Sequence, residues 1–239
     1  MDFLKDIFKD IIDKLNTALI VEGRWKMLLG GLGNTLVIAF FALIIGVILG
    51  IIVAVIKVAA SMNKKSKILA VLDFLSNIYI NLIRGTPVVV QLMIMYYVIL
   101  VSTTNSVLVA IISFGLNSGA YVAEIMRAGI QAVDKGQTEA GRSLGLSSLV
   151  TMKEIVLPQA IKNILPALAN EFITLLKETS IAGYVAISDL TKAGDRIRYS
   201  TYDPFTALLI VAGIYLVLVL GLARLFSMLE KRLRRSENR

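Results

Sequence analysis

Five ionisable side chains stand inside, or at the edge of, stretches otherwise built from apolar residues. Glu171, Lys177 and Glu178 interrupt the stretch 164–187, Glu124 sits near the end of 107–126, and Arg84 precedes the triplet Gly85-Thr86-Pro87. A charge at mid-bilayer costs roughly 2.5 to 3.5 kcal/mol on insertion scales, so each must face the protein interior or a water-filled cavity. The chemistry open to them is ionic recognition. A carboxylate at Glu171 pairs with an ammonium, and Asn170 beside it adds a donor and an acceptor. The Arg84 fork suits a carboxylate, and Thr86 offers a hydroxyl where the helix must break. The plainer readings are that Glu171 pairs with Arg84 to hold helices together, that Lys177 and Glu178 pair with each other or with Glu124, and that Arg84 snorkels to the interface. Gln91, Asn117, Ser118 and Tyr121 either line the same route or join helices by hydrogen bonds.

Other chemistry is excluded by what is missing. The chain has no histidine and no cysteine, hence no imidazole base, no cluster thiolates and none of the usual zinc or haem ligands. No nucleophile and base are arranged together, and no GxxxxGK[ST] phosphate loop is present. The expectation is a protein that is not itself an enzyme, with no catalytic residue, metal or cofactor. The net charge of +8 reflects basic loops rather than a nucleic-acid partner.

The elements that must position these groups follow from hydropathy. Of 239 residues, 56% are hydrophobic and 18% charged, with a mean hydropathy of +0.77, which places the chain in a lipid bilayer. Residues 27–56, 85–123 and 204–223 carry no charge, and each is long enough for the roughly 30 Å hydrocarbon layer. The expected architecture is an all-α membrane protein with five spans at about 32–56, 70–101 (broken at 85–87), 107–126, 164–187 and 204–227, within a membrane-spanning unit 30–230. The break is required because 68–101 as one straight helix would measure about 51 Å. Pro87 lacks a backbone donor and disfavours helix at Thr86. Residues 68–83 then form an interfacial or partly inserted helix.

Ahead of the spans, Phe3, Leu4, Ile7, Phe8, Ile11, Ile12, Leu15 and Leu19 recur at helical spacing among lysines and aspartates. Segment 1–29 is therefore read as amphipathic and interfacial. The loop KVAASMNKKSK holds four lysines and no acid, and segment 231–239 is a basic tail. With five crossings these fall on one side together with 127–162, which the charge bias makes cytoplasmic, leaving the N-terminus outside and the C-terminus in the cytoplasm.

Between the third and fourth spans the chain reads QTEAGRSLGLSSLVTMKEIVLPQA. Pro158 and the serines punctuate two short helices in a cytoplasmic loop, 134–158. Glu139-Ala140-Gly141, then three residues and Gly145, then nine residues and Ile155-x-Leu157-Pro158, resemble the EAA signature of ABC-importer permeases. RGTP at 84–87, SGAYVAEIMRAGIQAV at 118–133 and LPALANEFITLLKETSI at 165–181 are similar to its polar amino acid branch. Gly141 departs from the pattern, which more often has a second alanine.

The resemblance implies a type I importer permease working by alternating access in a prokaryotic inner membrane. Glu139, Ala140, Gly141, Arg142, Ser143, Gly145 and Leu146 would then form a coupling helix that docks on an ATP-binding subunit. Its partners would be two copies of that ATPase, an extracytoplasmic amino-acid-binding protein and a second permease subunit, either identical or homologous. Glu171 would contact the ammonium or basic side chain of a bound amino acid. The competing readings are a permease for another small polar solute, or an ATP-independent secondary transporter using Glu171, Lys177 and Glu178 as a relay.

Overall fold

The computed structural model describes residues 2–235; the end of the expected basic tail, 236–239, lies outside them. Among the described residues all regular structure is helical. Helix α1 (Asp2–Leu19) leaves the apolar side chains Phe8, Ile11 and Ile12 exposed. It ends in a tight turn with Glu22 and Gly23 at positive φ, 56° and 64°. The buried Arg24 closes the turn by donating from Nη1 to the Thr17 carbonyl (2.6 Å) and from Nη2 to Glu22 Oε2 (3.0 Å). Helix α2 (Trp25–Met62) follows; at 38 residues it is about 57 Å long, enough to cross a bilayer and project beyond it.

Three helical stretches are long and apolar enough to span: 21–62, α5 (Ser106–Gln131) and α10 (Pro204–Arg235). The pair α3 (Lys67–Arg84) and α4 (Val88–Ile94) makes a fourth if read as one broken crossing, bent by 106° at Gly85–Pro87. Helix α8 (Leu157–Glu178) falls short of that composition because of its charges, yet it packs against α2, α5 and α10. In the most apolar 18-residue window of each stretch, 61% of residues are buried for α5 against 33% for 21–62 and 17% for α10, so α5 is the central helix.

Close packing of α2 on α5 depends on small residues, as expected where lipid supplies no hydrophobic drive between helices. A methyl group on Gly46 would lie 2.8 Å from Ser118 Cβ, and one on Gly115 would lie 2.7 Å from Ile45 Cγ2. Around this contact Ile38, Leu92, Phe114, Leu175 and Val185 close a core fed by α2, α4, α5, α8 and the segment that follows α8.

Two features differ from the sequence expectation, and prolines or polar caps explain both. The second short helix of the 134–158 loop is not separate: α7 (Ser148–Thr151) continues through a wide π turn, Met152–Val156, straight into α8. Pro158 cannot donate to the carbonyl four residues back, and the π turn just before it absorbs the mismatch. The fourth long helix ends at Glu178, passes through a 3₁₀ segment (Thr179–Val185), and is followed by an unanticipated helix α9 (Leu190–Thr201). Asp189 caps α9 by accepting from the Thr191 and Lys192 N–H groups at 3.0 Å each. The turn is pinned to α2, where Asn34 Nδ2 donates to the Ser188 carbonyl (2.8 Å) and Leu190 N–H donates to Thr35 Oγ1 (3.1 Å).

Candidate functional site

Halfway along α5, Asn117 and Ser118 are both buried and point to opposite neighbours. Ser118 Oγ donates to Glu171 Oε1 on α8 at 2.8 Å. Asn117 Nδ2 donates to Gln91 Oε1 on α4 at 2.9 Å. Gln91 Nε2 in turn reaches Ile83 O (2.7 Å), Thr86 O (3.1 Å) and Thr86 Oγ1 (2.8 Å), while the Thr86 hydroxyl donates to Leu82 O (2.8 Å). Thr86, Gln91, Asn117, Ser118 and Glu171 thus form a polar row across three helices, α4, α5 and α8, and the break.

The origin of the row is the proline. Ile83 O would ordinarily accept from the N–H four residues on, which is Pro87 and has none. The Gln91 carboxamide replaces that donor.

Arg84 is not brought to Glu171. Its Nη1 lies 3.5 Å from Glu124 Oε2, and its guanidinium sits 5.5 Å from the Tyr121 ring centroid. Glu124 is also held by Arg127 at 2.8 Å. Of the alternatives for Glu171, a lock to Arg84 is therefore absent, and Glu124 is engaged with arginines rather than with Lys177. Asn170 and Lys177 lie exposed on the open face of α8, and Glu178 is half-buried two turns beyond Glu171. Asn170 adjoins Glu171 in sequence but faces away from Ser118.

At the far end of α5, helix α6 (Lys135–Ser143) begins at Asp134, which accepts from Gly136 N–H at 2.7 Å. It stops at Gly145, φ +82°, where Gly145 N–H donates to Arg142 O and Leu146 N–H to Gly141 O. This is a Schellman stop, and the glycine is there for its left-handed backbone. Gly141 points inward: a methyl there would lie 2.8 Å from Thr151 Cγ2, so the second alanine of the family pattern would be tight at this position. Arg142 Nη1 donates to Leu146 O (2.6 Å), serving the turn. Glu139, Ala140 and Ser143 face outward, joined by Leu144 (80% exposed) and Leu149 (68% exposed).

Sequence reasoning missed Arg127, although its i,i+3 spacing from Glu124 was a signal. It also missed the half-buried Lys57, whose Nζ contacts Asp73 Oδ1 (3.2 Å) and Asn77 Oδ1 (2.6 Å). Among the described residues no three acidic groups gather as metal ligands.

Long apolar helices with a polar row midway along α5 are those of a membrane-spanning protein. The model of the family described as "Binding-protein-dependent transport system inner membrane component" matches residues 46–235, and the chain belongs to that family, a transport component rather than a catalytic subunit. It is 41% identical over 202 residues to the putative glutamine transport system permease protein GlnP of Rickettsia typhi, covering 83% of this chain and 89% of the relative. It is 39% identical over 213 residues to the arginine transport system permease protein ArtQ of Bacillus subtilis, covering 88% and 94%. Among solved structures, the crystal structure of an amino acid ABC transporter with histidines superposes with a TM-score of 0.80 at 40% identity, over 90% of this chain and 97% of that one. Residues 1–45 lie outside the family match.

Proposed function

We propose that this chain is the spanning subunit of an ATP-driven importer of polar or basic amino acids, working by alternating access, with its N-terminus outside and C-terminus in the cytoplasm. The observation that carries the reading is the open face of α8. Asn170 and Lys177 are exposed on a helix packed among the spans, with Glu171 half-buried between them. Such a face is expensive against lipid, so it meets a second permease subunit and a polar route runs between the two. Glu171 receives the ammonium or basic side chain of the solute, and Ser118 orients its carboxylate. Arg84, Thr86, Gln91 and Glu178 act around that centre, Gln91 by holding the break and Arg84 by bracing it to Glu124. Relatives named for glutamine and arginine transport support an amino acid as cargo.

The hairpin of α6 and α7 is the surface for an ATP-binding subunit, one per permease copy, and an extracytoplasmic binding protein delivers the solute. Leu144 and Leu149 give that surface apolar anchors, rimmed by Glu139 and Ser143. Spans at about 32–56, 70–101, 107–126, 164–187 and 204–227 set the five crossings. Binding to the purified complex tests the site. Glu171→Gln keeps the acceptor for Ser118 but removes the charge, and should weaken arginine and lysine by about 10-fold or more. Unchanged affinity for every amino acid tested refutes the assignment.

A further inference from the structure

A cavity of about 560 Å³ opens where the ends of α2 and α5 and the start of α3 meet Met152. Lys57, Lys64 and Arg127 line it against one acid, Asp73. That acid is already engaged, since Lys57 Nζ lies 3.2 Å from Asp73 Oδ1. Glu124, behind Arg127, is likewise held at 2.8 Å by Arg127 and at 3.5 Å by Arg84. The cavity therefore keeps a cationic excess, extended by Lys65 and Lys67 in the same acid-free loop.

Apart from Ser61 and Gln131 its other walls are apolar, including Val58, Ile130 and Met152, and the helices beside it present exposed Val55, Val71 and Phe74. An occupant must bring an anion on an apolar body, at the level where spans end and lysines begin. Basic pockets between helices at the cytoplasmic surface meet that description for anionic lipid.

We propose that this cavity holds the phosphate headgroup of an anionic phospholipid of the inner leaflet. The assignment of leaflet rests on the orientation given above. The bound headgroup touches the α2–α3 loop, the inner end of α5 and the π turn that leaves the hairpin, so it bridges the elements through which the ATPase surface meets the spans.

The permease–ATPase complex, delipidated in detergent, is offered equimolar phosphatidylglycerol and phosphatidylcholine, and retained lipid is read by native mass spectrometry. Phosphatidylglycerol should be retained selectively. Lys64→Gln, a loop substitution that leaves the helices intact, should lower retention about 5-fold, and Lys64→Arg should restore it. Equal retention of the two lipids, or retention untouched by Lys64→Gln and by Lys64→Glu, overturns the proposal. Displacement of the lipid by low millimolar inorganic phosphate assigns the site to free phosphate and overturns it as well. Because the chain has no cysteine, Lys64→Cys tests orientation separately with an impermeant maleimide. Labelling of right-side-out vesicles only after permeabilisation supports the inner leaflet. Labelling of intact vesicles overturns the leaflet while lipid selectivity still reads the site.

Discussion

The carboxamide of Gln91 spans the break between α3 and α4, donating to Ile83 and Thr86 and accepting from Asn117. Replacing it by leucine leaves the Ile83 carbonyl without the donor that Pro87 cannot supply. Gln91→Leu should cost about 1–3 kcal/mol of stability, seen as a lower melting midpoint in detergent, with Gln91→Glu intermediate. Asp189 gives a prediction in pH. Burial pushes its carboxyl above the ordinary carboxylate range, partly offset by the N–H groups of Lys192 and Thr191. A raised acid contributes stability fully below its unfolded pKa and loses it as pH rises through the folded one. The melting midpoint of the wild type relative to Asp189→Asn should therefore fall as pH rises from the ordinary carboxylate range through the raised one; a constant difference would contradict the assignment.

At the scale of elements, the amphipathic pattern of α1 and the triplet Gly85-Thr86-Pro87 were legible, because periodicity and a missing donor are local properties. Helix α9 was not: its residues are polar and balanced in charge, and they hold a helix because Asp189 caps it and Thr35 and Asn34 of α2, about 155 residues earlier, pin the preceding turn. The partner of Glu171 was equally out of reach, since Ser118 on α5 becomes its neighbour only through small-residue packing between helices. Gly145 shows the reverse. Its place in the motif was plain, but its reason is the φ of +82° rather than close approach, and the space around it is open. Gly145→Ala should thus cost about 1 kcal/mol through backbone strain alone, measurable as a lower melting midpoint, without a steric contribution.

For the whole molecule, membership of the transport family was readable from spacing, whereas the assembly depends on surfaces that one chain leaves open. Leu144 is 80% exposed at the tip of the hairpin and Leu149 68% exposed beside it, so the pair offers apolar anchors to the partner proposed above. Leu144→Asp should abolish co-purification of the ATP-binding subunit while the permease still folds and inserts; a complex of normal yield would show that the hairpin does not dock it. The helical path from Ser148 to Glu178 adds a mechanical consequence. Over the 24 residues from Ser148 to Glu171 it runs about 35 Å, with the π turn and Pro166 as irregular points. If the hairpin is the docking surface proposed above, a displacement there reaches the Glu171 carboxylate along one helical path, with no loop between them.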